Sequence, residues 1–165
     1  MADALGITAS IIAVVQISTA VVDYVLAYKD ASEDQARLVA QLGATTGILT
    51  TLKNFIDAQG EQEWLQTSAS LFVQSGPIDQ FNATLKVIAD KIISSNIKLQ
   101  DTISNLTWPL KMDQIQIFKR ELRAITKDKI QQLKWPFREK KVAELVRSLE
   151  WQLSLFTLAL QNDST

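Results

Sequence analysis

From Ile7 to Tyr28 the chain is mostly apolar, and its polar side chains recur at helical spacing. At 100° per residue, Thr8, Gln16, Thr19 and Asp23 fall in one arc of about 80°. Ala9, Ala13, Ala20 and Ala27 flank that arc, and Ile7, Ile11, Val14, Val21 and Val25 lie opposite. The polar arc is narrow and Ile12 intrudes on it. The pattern therefore predicts a helix over residues 5–28 that is apolar nearly all round, as the central member of a bundle is. Ser32-Glu33-Asp34-Gln35 then has the S-x-x-Q form of a capping box. Leu38, Leu42, Leu49, Leu52 and Ile56 follow, with Thr45 in the one polar slot. This predicts a second helix over 32–59, closed by Gly60.

A short helical turn is expected around Trp64 and Leu65. Ile78, Phe81, Leu85, Ile88 and Ile92 keep the helical period, and Leu99, Ile103 and Leu106 resume it after a break at Ser94-Ser95-Asn96. A third helix is thus expected over 77–106. Ile115, Phe118, Leu122 and Ile125 mark a fourth over 109–132, and Val142, Leu145, Leu149, Leu153, Phe156 and Leu160 a fifth over 136–161. Pro77, Pro109 and Pro136 each stand where one of these helices would start, a position proline favours. With five glycines and three prolines in 165 residues, the expected fold is all-α, a bundle of four to five main helices in a single domain over 1–165.

The stretch from Gly6 to Leu26 is long enough to cross a bilayer of about 30 Å. Against a constitutive span, polar residues run through its whole length, and an aspartate near mid-bilayer costs on the order of 3 kcal/mol. Against an export signal, it begins Met-Ala-Asp and stays apolar too far. A core helix, or a helix held in a bundle and released to a membrane on demand, are the readings left open.

Zero cysteines and zero histidines remove disulfides, thiolate nucleophiles, Cys/His zinc sites and the commonest general base. No phosphate-binding glycine loop, metalloprotease or hydrolase motif is found, so no enzyme, cofactor or metal is expected. The net charge of −1 hides an acidic first half and a basic last third, a split that more simply lets the two ends attract one another. Arg138, Lys140 and Lys141 could meet phosphates. Interleaved Glu139 and Glu144 argue for a solvated helix face instead and against nucleic acid.

Two segments, Leu106-Thr-Trp-Pro-Leu-Lys and Leu133-Lys-Trp-Pro-Phe-Arg, echo one another. Each Trp could tuck under the incoming helix; alternatively Trp135 and Phe137 are docking anchors near basic side chains. In the last helix Trp151, Leu155 and Leu158 form a second apolar stripe beside the core one, which suits a second partner.

The opening "MADALGITASIIAVVQISTAVVDYV", the central "GPIDQF" and the closing "WPFREKKVAELVRSLEWQLSLFTLALQND" together resemble the fungal N-terminal domain of STAND proteins, a HeLo-like family. The likeness departs at about Thr107 to Leu133, where the extra W-P-L segment reads as an insertion or partial duplication. The resemblance implies a HeLo-like helical-bundle effector domain placed before a nucleotide-binding and repeat-bearing sensor in innate-immunity-like receptors. It also implies oligomers that expose an N-terminal hydrophobic helix to attack the plasma membrane in regulated cell death, such as heterokaryon incompatibility. Carried to this chain, Leu5, Ile7, Ile11, Val14 and Val21 would face lipid, and Gln16, Thr19 and Asp23 would line the oligomer's wet interior. The expected partner is a second copy on activation, with anionic lipids and a downstream sensor domain as open candidates. The expected location is cytoplasmic, with recruitment to the plasma membrane. The competing reading is a soluble self-association or adaptor module acting through the last helix, without membrane activity.

Overall fold

The computed structural model describes residues 4–29, 32–59, 71 and 76–163. Seven helices and no strand occur among them: α1 (Ala4–Leu26), α2 (Ser32–Gln59), α3 (Pro77–Ser94), α4 (Ile97–Ile103), α5 (Met112–Arg123), α6 (Lys127–Gln131) and α7 (Glu139–Asp163). Five are main helices, and α4 and α6 are short turns between them. Gly60 and the expected turn at Trp64 and Leu65 lie outside the described residues.

Helix α1 packs most extensively on α2, and also on α5 and α3, while α7 closes the bundle against α2 and α3. The α2 stripe predicted from the heptads is the stripe that is buried, since Leu38, Leu42, Leu49 and Leu52 are inaccessible and Ile56 nearly so. Thr45 is buried with them and satisfies its hydroxyl by donating to the Gln41 carbonyl at 2.8 Å. Phe81 of α3 meets Phe156 of α7 edge to face at 6.2 Å, an arrangement that joins these two helices within the core.

The break at residues 95–96 is real and has a chemical cause. Asn96 caps α4, its Oδ1 accepting from the backbone N–H of Lys98 at 3.0 Å and of Leu99 at 3.4 Å. The remaining boundaries need correction. The third predicted helix stops at Ile103, not 106, and the fourth is split into α5 and α6 between Arg123 and Lys127. Thr126 caps the second piece by accepting from Lys129 N at 3.4 Å. Of the three prolines only Pro77 starts a helix. Pro109 and Pro136 sit in non-helical stretches three residues ahead of Met112 and Glu139, because each restrains the residue before it to extended geometry and the chain needs a further turn to enter the helix.

Two side chains make contacts that their spacing does not show. Gln35 turns toward the end of α1. Its amide Nε2 donates to the carbonyls of Val25 at 2.5 Å and Tyr28 at 3.1 Å, joining the Tyr28 N–H that Val25 also accepts at 3.3 Å, and so ties the start of α2 to the end of α1. In α7 Leu153 and Leu160 are only partly buried while Gln152 is 4% exposed. The buried positions Val142, Leu145, Leu149, Gln152, Phe156 and Ala159 alternate three and four apart, so the seam facing the bundle is a heptad seam that runs through Gln152 and Ala159 rather than through Leu153 and Leu160. Gln152 Nε2 donates to Thr84 Oγ1 at 3.0 Å, and Thr84 passes its own proton to the Gln80 carbonyl at 3.0 Å.

Gly43 and Gly47 lie on the outer face of α2, and a Cβ built at either position meets no other atom within 4 Å. Gly43→Ala and Gly47→Ala should therefore each stabilise the fold by about 0.5–1 kcal/mol, through helix propensity alone. Leu49→Ala on the opposite face of the same helix should cost roughly 2–5 kcal/mol. Urea unfolding of the three variants checks both signs.

Candidate functional site

The site suggested by the sequence is α1, and its geometry is set by which arc of the helix the bundle covers. Ile7, Ile11, Val14 and Val21, four of the five proposed lipid-facing residues, are at most 1% exposed. In this structure they form the core, and lipid could reach them only if α1 left its place. The side chain of Leu5 lies outside the described residues. The buried arc also holds Ser18, whose hydroxyl is inaccessible and has no hydrogen-bond partner among the described residues.

The polar arc points outward, which corrects the expectation of a helix enclosed on every side. Thr19 and Asp23 are exposed, and Thr19 returns its hydroxyl proton to the Val15 carbonyl at 2.9 Å. Gln16 is half-buried against α5, its Oε1 accepting from Gln116 Nε2 at 3.3 Å and Lys119 Nζ at 3.4 Å. Of the three proposed pore-lining residues, two are thus free to meet another surface and one is engaged. Leu26 adds an apolar side chain, 53% exposed, at the end of the helix.

The two ends of α1 are held by different chemistry. Near its start, Thr8 donates to Asp57 Oδ1 at 3.2 Å on the surface of α2. Lys53 holds the other oxygen of Asp57 at 2.9 Å, and this hydrogen bond, with a smaller contribution from Thr8, keeps the Asp57 carboxyl below its ordinary range. At its far end a buried aromatic and amide cluster takes over. Asn96 Nδ2 donates to Tyr24 Oη at 3.2 Å, Tyr28 Oη meets Ser95 Oγ at 3.4 Å, and Gln35 caps the last carbonyls. Trp135 stands edge-on to the Tyr28 ring at 5.2 Å and against Phe137 at 5.1 Å. Nothing in the period of the sequence marks this cluster. Its signal is the Tyr24 and Tyr28 pair, four residues apart at and just beyond the end of α1, a helix with no other aromatic residue.

The echoed W-P segments resolve into local packing. Trp108 lies edge-on to Phe118 of the incoming α5 at 6.1 Å, and Trp135 reaches across to α1. Phe137, offered as a docking anchor, is 5% exposed and belongs to the core, and Trp135 is half-buried. The other three interaction residues fare differently. Trp151 is 61% and Leu158 51% exposed, and with half-buried Leu155 they line a groove of about 570 Å³ between α7 and Gln41 of α2.

No family model, curated protein or solved structure matches the chain.

Burial in the cluster pushes the Tyr28 phenol well above its ordinary value, and the neighbouring Ser95 hydroxyl only partly offsets this. The neutral phenol is the form that fits. Its contribution to stability is complete below pH ~10 and is lost as pH rises further, because the unfolded chain gives up that proton first. Tyr28→Phe should therefore flatten the fall in melting temperature above about pH 10 relative to the unaltered protein. An unchanged slope would assign the alkaline transition to another group.

Proposed function

We propose that this chain is a non-enzymatic effector module of the STAND-receptor type, HeLo-like in kind, that keeps α1 sheltered until activation and then delivers it to a membrane. The observation that carries the reading is the arrangement of α1. Its Gly6–Leu26 stretch has a mean hydropathy of 1.8 and the length to cross a bilayer, yet under half of that window is buried. Its apolar arc is covered by the bundle and its polar arc, with Thr19 and Asp23, is at the surface.

Hydrocarbon and protein interior are similar solvents for Ile7, Ile11, Val14 and Val21, so moving them from bundle to bilayer changes their environment little. The polar arc is what a membrane alone would not tolerate. Several copies that turn Gln16, Thr19 and Asp23 toward one another could keep those side chains wet. Activation on this reading begins at the start of α1, where the tie to Asp57 is exposed, and must then open the buried cluster at Tyr24 and Tyr28. The module acts from the cytoplasm on anionic lipids of the plasma membrane, as one part of a longer receptor.

The absence of native cysteines allows a clean test. Thr8→Cys with Asp57→Cys, whose native side chains approach to 3.2 Å, ties α1 to α2 when oxidised or bridged by a short bis-maleimide. The expected result is dye release from anionic vesicles by the reduced protein, rising steeply with concentration, and none by the tied one. Equal release in both states, or none in either over a micromolar concentration series, overturns the reading.

A second reading is favoured by the exposed stripe of α7: a soluble module that self-associates through Trp151, Leu155 and Leu158. Apolar side chains of this size gathered along one helix face are typical interface anchors. On this reading, sedimentation velocity should show association that Trp151→Ala with Leu158→Ala abolishes while the melting temperature is unchanged, and vesicles should stay intact. A monomer across the series overturns it.

A further inference from the structure

A recess of about 270 Å³ opens between the last turns of α1 and the α5–α6 corner. Its floor is apolar, formed by Ala20 and Ala27 of α1 with Leu122 of α5 and Ile130 of α6. Its rim is charged, and the signs are divided between the two sides. Asp23 stands on the α1 side, and Arg123 and Lys127 stand on the other. All three are exposed, and none joins an ion pair among the described residues. Some opposite charges on the surface do pair, as Lys53 does with Asp57 and Lys86 with Asp90. Across this mouth no such pair forms among the described residues.

An apolar floor beneath facing charges of opposite sign is complementary to a molecule with an apolar body and a zwitterionic head. The volume is just under the usual range for ligand pockets and holds about a dozen heavy atoms at most. We propose that this recess binds a free α-amino acid with a large apolar side chain. The ammonium faces Asp23, the carboxylate faces Arg123 and Lys127, and the side chain lies on the floor formed by Leu122 and Ile130. The two walls belong to different helices, so a bound molecule bridges α1 to the α5–α6 corner. It therefore stabilises the assembled bundle by mass action.

The test uses L-phenylalanine as the probe and the amide spectrum of the whole chain as the readout. Saturable shifts confined to residues 20–27 and 122–130, with half-saturation at about 1 mM or below, are expected, together with a rise in melting temperature. Two analogues separate the charges. 3-Phenylpropionate lacks the ammonium and phenethylamine lacks the carboxylate. Asp23→Asn should weaken phenylalanine and phenethylamine by about tenfold and leave phenylpropionate no weaker, while Arg123→Gln with Lys127→Gln should do the converse. The substituted side chains are exposed, and unchanged far-ultraviolet circular dichroism checks the fold. Absence of saturable shifts up to about 20 mM overturns the proposal. So does binding that ignores the charge variants, which would make the recess an apolar cavity without specificity.

Discussion

The bundle depends on covering one face of α1. Ile7, Ile11, Val14, Val21 and Val25 are all but inaccessible, and each such side chain gains roughly 1.5–3 kcal/mol on leaving water. A helix this apolar has no stable life alone in solution. The α2 stripe from Leu38 to Ile56, the α5 residues Ile115 and Phe118 and the α3 residues around Phe81 are the surfaces that meet it or back it. The proposed release of α1 to a membrane rests on the same requirement. Lipid satisfies Ile11 or Val14 about as well as Leu42 does, so the hydrophobic effect that builds the bundle does little to forbid the alternative.

What distinguishes the two environments is hydrogen bonding. The cluster at the end of α1 joins Tyr24 to Asn96, Tyr28 to Ser95 and Gln35 to the last carbonyls of the helix. These groups would need other partners in hydrocarbon, where unmet polar atoms are costly. The cluster also reaches the second W-P segment through Trp135. One end of α1 is thereby connected to the α3–α4 break, the start of α2 and the approach to α7, while near its beginning the Thr8 hydroxyl is tied to Asp57 at the surface. Gln16 adds a polar contact to α5 midway along.

The last helix carries a different tension. Its heptad seam runs through Gln152, which Thr84 partners, and leaves Trp151 and Leu158 outside it on the surface. The groove beside them and the recess beside Asp23 lie on different elements of the bundle, one on α7 and one at the α5–α6 corner. The molecule thus carries an apolar groove on α7 and a charge-rimmed recess at the α5–α6 corner, proposed to take different kinds of partner.

Much of this was legible from the order of residues. The heptads of α2 specify Ser32–Gln59, because leucines four and three apart leave one helical solution, and the polar run Ser94-Ser95-Asn96 marks the break that Asn96 then caps. Local chemistry of this kind acts within a few residues and can be read there. The inward placement of Gln152 and the reach of Gln35 to the end of α1 could not be read so, because each is decided by a partner outside its own helix: Thr84 for Gln152, Val25 and Tyr28 for Gln35. The division of α5 from α6 at the Thr126 cap and the delayed starts after Pro109 and Pro136 have local causes, but the period of the apolar residues does not mark them. The sequence by itself determined that the chain is a helical bundle and that α1 has an apolar and a polar arc. Only the tertiary structure decided that the apolar arc is the buried one, that Phe137 is core and Trp151 surface, and that Asp23 faces Arg123 and Lys127 across an open mouth. Periodicity reports which residues share a face, whereas burial depends on what the rest of the chain brings to cover it.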